Sequence, residues 1–264
     1  MAIYTDQTGN SITLETAPRR IVSLVPSQTE LLHYLGLDER VVGITKFCVH
    51  PEAWFRNKTR IGGPKAVHLQ QVKDLVPDLI IANKEENLKN EVEELAKDFP
   101  VWTSDVGNLQ QALQMIKDIG IITGTSEKAA SLIQKIQQAF KELPTAANNS
   151  IRTAYLIWQE PYMTVGGDTF IHDMLTRCGF SNMFAQDQRY PVTSIEALRQ
   201  GGCQLLLLSS EPFPFQQKHL QALQQQLPGT TILLADGEMF SWYGSRLLLA
   251  PAYFQELNFL VQSS

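Results

Sequence analysis

Arg20-Ile21-Val22-Ser23-Leu24-Val25-Pro26-Ser27-Gln28-Thr29-Glu30 places a strand and a helix start side by side. Residues 21–25 form a short continuous apolar run, the pattern of a strand buried on both faces of a parallel sheet. Pro26 ends that strand. Ser27 and Glu30 have capping-box spacing: the hydroxyl can accept from the Glu30 N–H, and the carboxylate from the Ser27 N–H. A helix over 31–35 then stops at Gly36, a C′ glycine.

The same strand–loop–helix unit recurs outward from this segment. Upstream, 3–5 and 11–14 flank a Thr8-Gly9-Asn10 turn and predict a hairpin. Downstream, strands are predicted over 41–44, 79–82 and 100–102, with helices over 69–75 and 90–97. Repeated β–α units imply a parallel sheet with right-handed crossovers. Residues 108–143 differ. Helices are predicted over 109–122 and 126–143, the second with Ala129, Leu132, Ile133, Ile136 and Phe140 on one face. Pro144 to Ser150 reads as a polar break. Alternation then resumes, with strands over 153–158, 205–208 and 231–234 and helices over 169–178, 194–199, 216–226 and 247–257.

Composition fits this reading and excludes others. The chain has 264 residues, 44% hydrophobic and 19% charged, enough apolar material for two cores. Net charge is −5 and no basic stripe is present, which excludes a nucleic-acid groove. Cys48, Cys178 and Cys203 are too few and too widely spaced for a disulfide framework. No stretch approaches the roughly 20 apolar residues that cross a bilayer, so no membrane insertion is expected. Met1 to Asn10 lacks the basic and apolar regions of an export signal, which implies a cytoplasmic protein if Met1 is the native start. The catalytic signatures Gly-x-Ser-x-Gly, His-Glu-x-x-His, the phosphate loop and Gly-x-Gly-x-x-Gly are absent, so no enzyme is predicted. No catalytic residue is assigned and no cofactor is required.

With this layout, the 20–30 segment resembles the periplasmic binding proteins that serve cobalamin and ferric-siderophore ABC importers, in particular the cobalamin branch. Val42-Gly43-Ile44 with the 47–51 loop, Val76-Pro77-Asp78-Leu79-Ile80-Ile81-Ala82, and Val165-Gly166-Gly167 through Cys178-Gly179 carry the resemblance further. It implies an α/β fold of two Rossmann-like lobes with mainly parallel sheets, joined by a long backbone helix. The expected divisions are 1–107, 108–143 and 144–264. It also implies reversible capture of cobalamin or a related iron or cobalt chelate between the lobes, periplasmic location, a monomer, and an ABC importer membrane subunit as partner. A cytoplasmic corrinoid carrier or sensor is the alternative.

Candidate ligand residues follow. The resemblance assigns Phe47 and Tyr190 as aromatics facing the ligand and Arg246 as the arginine before the last helix, either a ligand contact or a structural tie. Cys48 and His50 form Cys-x-His, a soft thiolate and an imidazole that could ligate a metal, or else a loop cysteine and a surface histidine. Gly63 and Pro64 lie in Ile61-Gly62-Gly63-Pro64-Lys65, where backbone can approach a ligand or simply turn. Lys84 sits in the third loop, beside Asn83, where the cobalamin branch carries a large aromatic. Trp158 and Tyr162 end a strand and suit a flat macrocycle. Gly167 precedes Asp168 and Thr169, which either cap a helix or aim its N-terminus at an anionic group. Phe240, Trp242 and Tyr243 make 238–246 the densest aromatic loop, and Phe213 and Phe215 are cleft walls or core. Glu196 matches the second-lobe transporter-docking acid, or caps its helix with Thr193. Gln70 stands at the first-lobe docking position.

Overall fold

The computed structural model describes residues 1–143 and 151–263; the predicted break at 144–150 lies outside them. Contacts divide the chain into two compact units. The first comprises Met1–Val106, Gln110–Lys135 and Tyr243–Arg246; the second comprises Gly107–Leu109, Ile136–Trp242 and Leu247–Ser264. Residues 110–135 of the expected linker thus pack with the first unit.

The first unit is built on a five-stranded parallel sheet in the order Thr59–Arg60, Val41–Ile44, Ile21–Ser23, Leu79–Asn83, Val101–Ser104. Every residue of Ile21–Ser23 and Leu79–Asn83 is buried, as the continuous apolar runs require. The helix after the first of these strands starts earlier than predicted. It spans Pro26–Tyr34 with Val25 as N-cap and no side-chain cap bond, so the Ser27–Glu30 capping box does not form. Proline suits the first helical position: it has no N–H to leave unpaired, and its φ is already helical. The helix ends as expected, with Gly36 at φ 80°. The sequence reading missed the helix Glu52–Asn57 and the short strand pair Gly62–Gly63 and Ala66–Val67, which are too brief to show a period.

The N-terminal hairpin Ala2–Thr5/Ser11–Leu14 forms in antiparallel register. Asp6 organises it: Oδ1 accepts from Thr8 N, Thr8 Oγ1 and Asn10 N, and Oδ2 accepts from Thr103 N at 3.2 Å. The hairpin thereby covers the open edge at Val101–Ser104, which would otherwise present unpaired backbone.

Helices Leu109–Thr123 and Ser126–Lys141 turn at Gly124, φ 70°. A methyl group at Gly120 would lie 2.4 Å from the Ala129 side chain, so glycine is what lets the helices meet there. Of the predicted stripe, Ala129, Leu132, Ile136 and Phe140 are buried and Ile133 is half-buried. Among the described residues, no helix is long and apolar enough to cross a membrane.

The second unit carries a four-stranded parallel sheet in the order Phe180–Asn182, Ile151–Leu156, Leu205–Ser209, Thr231–Ala235. Its core gathers Ala154, Leu156, Leu206, Leu208, Leu223 and Ile232. In each sheet the chain reverses its direction of strand addition once, beside Ile21–Ser23 in the first unit and Ile151–Leu156 in the second. Open parallel sheets hold ligands outside the carboxyl ends of strands near such reversals. The loops that follow these strands are therefore where a site belongs.

Candidate functional site

In the first unit, the loops at the strand carboxyl ends are tied together by buried amides. Asn83 Nδ2 donates to Ser104 O and Oγ at 3.2 and 3.0 Å, and its Oδ1 accepts from the Glu85 and Glu86 N–H groups. Asn87 Nδ2 donates to Leu24 O and Pro64 O. Buried polar groups satisfied this fully hold backbone in one arrangement. They also explain why Asn83 is not aromatic: the side chain is buried and braces the loop. Pro64 is likewise buried, and Lys84 extends outward to Asp105 at 2.6 Å.

Phe47 stands out against this braced frame. It is 55% exposed, with the Lys46 ammonium 5.2 Å from its ring centroid. Gly63 lies beneath it; a Cβ there would come within 3.2 Å of the ring. Gly63 thus provides the seat for the aromatic.

Cys48 points the other way. It is fully buried, its Sγ 3.0 Å from Thr29 Oγ1 and 3.1 Å from Thr45 Oγ1, and burial pushes the thiol pKa up. A buried neutral thiol is not a soft thiolate ligand. Among the described residues, no three His, Cys, Asp or Glu side chains gather as a metal site. Cys48, buried and neutral, thus does not present the soft thiolate that the Cys48–His50 pairing calls for.

Arg246 is engaged within the first unit as well. Its Nη2 and Nε donate to the two carboxylate oxygens of Glu30 at 2.6 and 3.2 Å, and both side chains are largely buried. This is the structural tie, with the paired geometry that suits a guanidinium. Glu30, released from the unformed capping box, is its partner. Gly244 completes the anchor: a Cβ there would lie 2.7 Å from the Ser27 carbonyl oxygen.

In the second unit, Trp158 is 41% exposed, two residues past the end of Ile151–Leu156. Its indole meets Phe213 edge-on at 5.8 Å, and Phe213 packs with Phe215 and His219 at 4.8 and 5.4 Å. Phe215 is core, Phe213 half-buried and Trp158 outermost. Tyr162 is half-buried against the same core, and burial pushes its phenol pKa up. Tyr190 is half-buried under the Arg189 guanidinium, 5.7 Å from its ring centroid.

Gly167 serves packing. A Cβ there would sit 2.1 Å from Ala185 O, and its N–H donates to Asp187 O at 2.9 Å. The close approach is to the protein's own backbone. Thr169 is the N-cap of Phe170–Arg177, accepting from His172 N, while Asp168 accepts from Arg189 N at 2.6 Å.

The three rings of the 238–246 loop are all buried. Phe240 is fully buried against Tyr155 and Phe254, and Tyr243 and Trp242 are each 6% exposed. The Trp242 indole N–H donates to Glu211 Oε1 at 2.9 Å, and the Ser241 hydroxyl donates to the same oxygen. Sequence reasoning missed Glu211. Its signal was an acid in Ser209-Ser210-Glu211-Pro212, directly after a fully apolar strand. Desolvation by burial pushes the Glu211 pKa up, reinforced by Glu238 and Asp236 and opposed by its bonds from Ser241 and Trp242.

Glu196 is exposed, bonded to Arg199 and to Gln200 Nε2. Its helix, Ile195–Gln200, is capped instead by Ser194, which accepts from Ala197 N, so the Thr193–Glu196 box does not form. Gln70 is also exposed and donates to Asp74 Oδ1 at 2.8 Å.

Two open parallel sheets, each presenting an exposed aromatic side chain in a loop at its strand ends, have the layout of a ligand-binding protein. The chain belongs to the periplasmic binding protein family, whose pattern matches residues 21–229. By family it is a solute-binding protein, not an enzyme. A vitamin B12-binding protein of Vibrio vulnificus (strain CMCP6) is 28% identical over 196 residues, covering 70% of each chain. The crystal structure of the periplasmic vitamin B12-binding protein BtuF of Vibrio cholerae superposes with a TM-score of 0.78 at 22% identity, covering 94% of this chain and 99% of that one. The periplasmic heme-binding protein BhuT, solved with two hemes, gives a TM-score of 0.78 at 18% identity, covering 92% of this chain and 98% of that one.

Proposed function

We propose that this chain binds a large planar metal chelate, a corrinoid or tetrapyrrole, for delivery to an ABC importer. The supporting observation is the pair of exposed rings, Phe47 and Trp158, each in a loop following a parallel strand of its own unit. Each offers a large apolar surface backed by fixed neighbours: Gly63 and the braced loops behind Phe47, the Phe213 ring behind Trp158. Aromatic faces of this kind suit flat macrocycles, and a few polar groups beside apolar walls set orientation. Relatives named for vitamin B12 and heme support this ligand class; fold alone does not choose among its members. Among exposed groups, Phe47, Trp158 and the half-buried Tyr162 and Tyr190 are the proposed contacts. Glu196 is the proposed docking acid for the membrane subunit, with action on the outer side of the cytoplasmic membrane.

Titration of the purified protein with cyanocobalamin, hemin and a ferric hydroxamate, followed by quenching of its four tryptophans and by visible absorbance, tests the reading. Saturable binding of cyanocobalamin or hemin is expected, and binding of the ferric hydroxamate alone would overturn the planar-chelate reading. Silence with all three defeats it.

A further inference from the structure

Lysines occupy three loops at the carboxyl end of the first sheet: Lys46, Lys65 and Lys84. Lys65 Nζ donates to the Glu85 carbonyl, and Lys84 is paired with Asp105. Lys46 differs. Among the described residues, its ammonium has one recorded partner, the ring of Phe47, and no carboxylate neutralises it. Its backbone N–H is fixed to Gly62 O at 2.8 Å, and a Cβ on Gly63 would come within 3.5 Å of Lys46 Cε as well as 3.2 Å of the Phe47 ring. The glycine turn therefore seats cation and ring together, on an exposed surface, as one unit.

We infer that Lys46 is a specificity residue that pairs with a carboxylate on the edge of a chelate stacked on Phe47. The inference rests on the planar-chelate reading above and narrows it to ligands with an anionic periphery, such as a dicarboxylate porphyrin. A macrocycle whose edge carries neutral amides would leave Lys46 without a counter-charge. An ammonium beside an aromatic face loses part of its hydration when a ligand covers that face. A charge-assisted bond to the ligand then offsets that loss, whereas a neutral edge does not.

The test compares hemin with its dimethyl ester, both in the same low fraction of organic co-solvent, and adds cyanocobalamin as an amide-edged chelate. Wild type is expected to bind hemin more tightly than the ester. Lys46→Gln should weaken hemin binding by about tenfold, the size expected for one partly exposed charge pair. It should leave the ester unchanged, and Lys46→Arg should restore most of the loss. Lys46 is exposed, so the variants should unfold at the wild-type temperature. Equal affinities of wild type for hemin and ester, or equal losses for both ligands in Lys46→Gln, would overturn the assignment. Binding of cyanocobalamin without hemin would overturn it while leaving the planar-chelate reading intact. Failure of every chelate, a ferric hydroxamate included, would remove both.

Discussion

The 45–49 loop and the 238–243 segment both look like ligand walls in the sequence, yet they do opposite things. In the first, Phe47 projects outward while its neighbour Cys48 is fully buried. In the second, Phe240 is fully buried and Trp242 nearly so. The difference lies in what surrounds each ring. Phe240 fills a space between Tyr155 and Phe254, and Trp242 has an internal acceptor for its indole N–H in Glu211. Phe47 has a glycine seat on one side and no aromatic partner among the recorded ring contacts of the described residues. Aromatic density marks places where apolar surface is needed; the available partners decide whether that surface is core or contact.

Truncation should separate the two regions most sharply. Phe240→Ala should cost about 3–5 kcal/mol of unfolding free energy, as for other buried aromatics. Phe47→Ala should stay within about 0.5 kcal/mol of wild type in the same urea titration. Comparable losses at both positions would erase the contrast. Arg246→Ala comes next, on the order of 3 kcal/mol, because it leaves the largely buried Glu30 carboxylate unpaired. A double variant, Glu30→Ala with Arg246→Ala, should recover part of that loss, and simple additivity of the two single losses would argue against a direct pair. Trp158→Ala should leave stability nearly unchanged but weaken chelate binding by about 1 kcal/mol or more. Unchanged affinity would assign Trp158 to the surface alone.

Much of the fold was legible because its signals are local and repeated. Continuous apolar runs such as 205–208 can be satisfied in few ways other than as buried parallel strands, and the Ala129–Phe140 stripe has one helical face. Cap positions were read less well. Ser27 and Thr193 each have a glutamate three residues on, but Pro26 begins one helix and Ser194 caps the other, so both carboxylates are directed elsewhere. The site was harder still. Gly167 and Arg246 are needed by contacts with residues 18 and 216 positions away, Ala185 and Glu30, which no spacing rule can pair. Glu211 gave a weak signal because one acid in a loop is ordinary until an indole is seen to bond it.

The smallest expected effect concerns Glu211, where the buried segment meets pH. Burial raises its folded-state pKa above the ordinary carboxylate range, with Glu238 and Asp236 adding to the shift. As pH climbs from about 4, the unfolded chain releases this proton first, so the native state holds more protons and stability falls until the folded pKa is passed. Above that point the loss is complete and constant. Glu211→Gln retains a carbonyl oxygen for Trp242 and Ser241 but has no proton to lose. Its urea midpoint should therefore decline less than that of wild type between about pH 4 and 7, and the gap should favour the variant at the upper end. Parallel curves would mean that the carboxyl reaches water as freely in the folded protein as in the unfolded chain. In that case the 238–243 segment would be open like the Phe47 loop, and the contrast between the two regions would rest on packing alone.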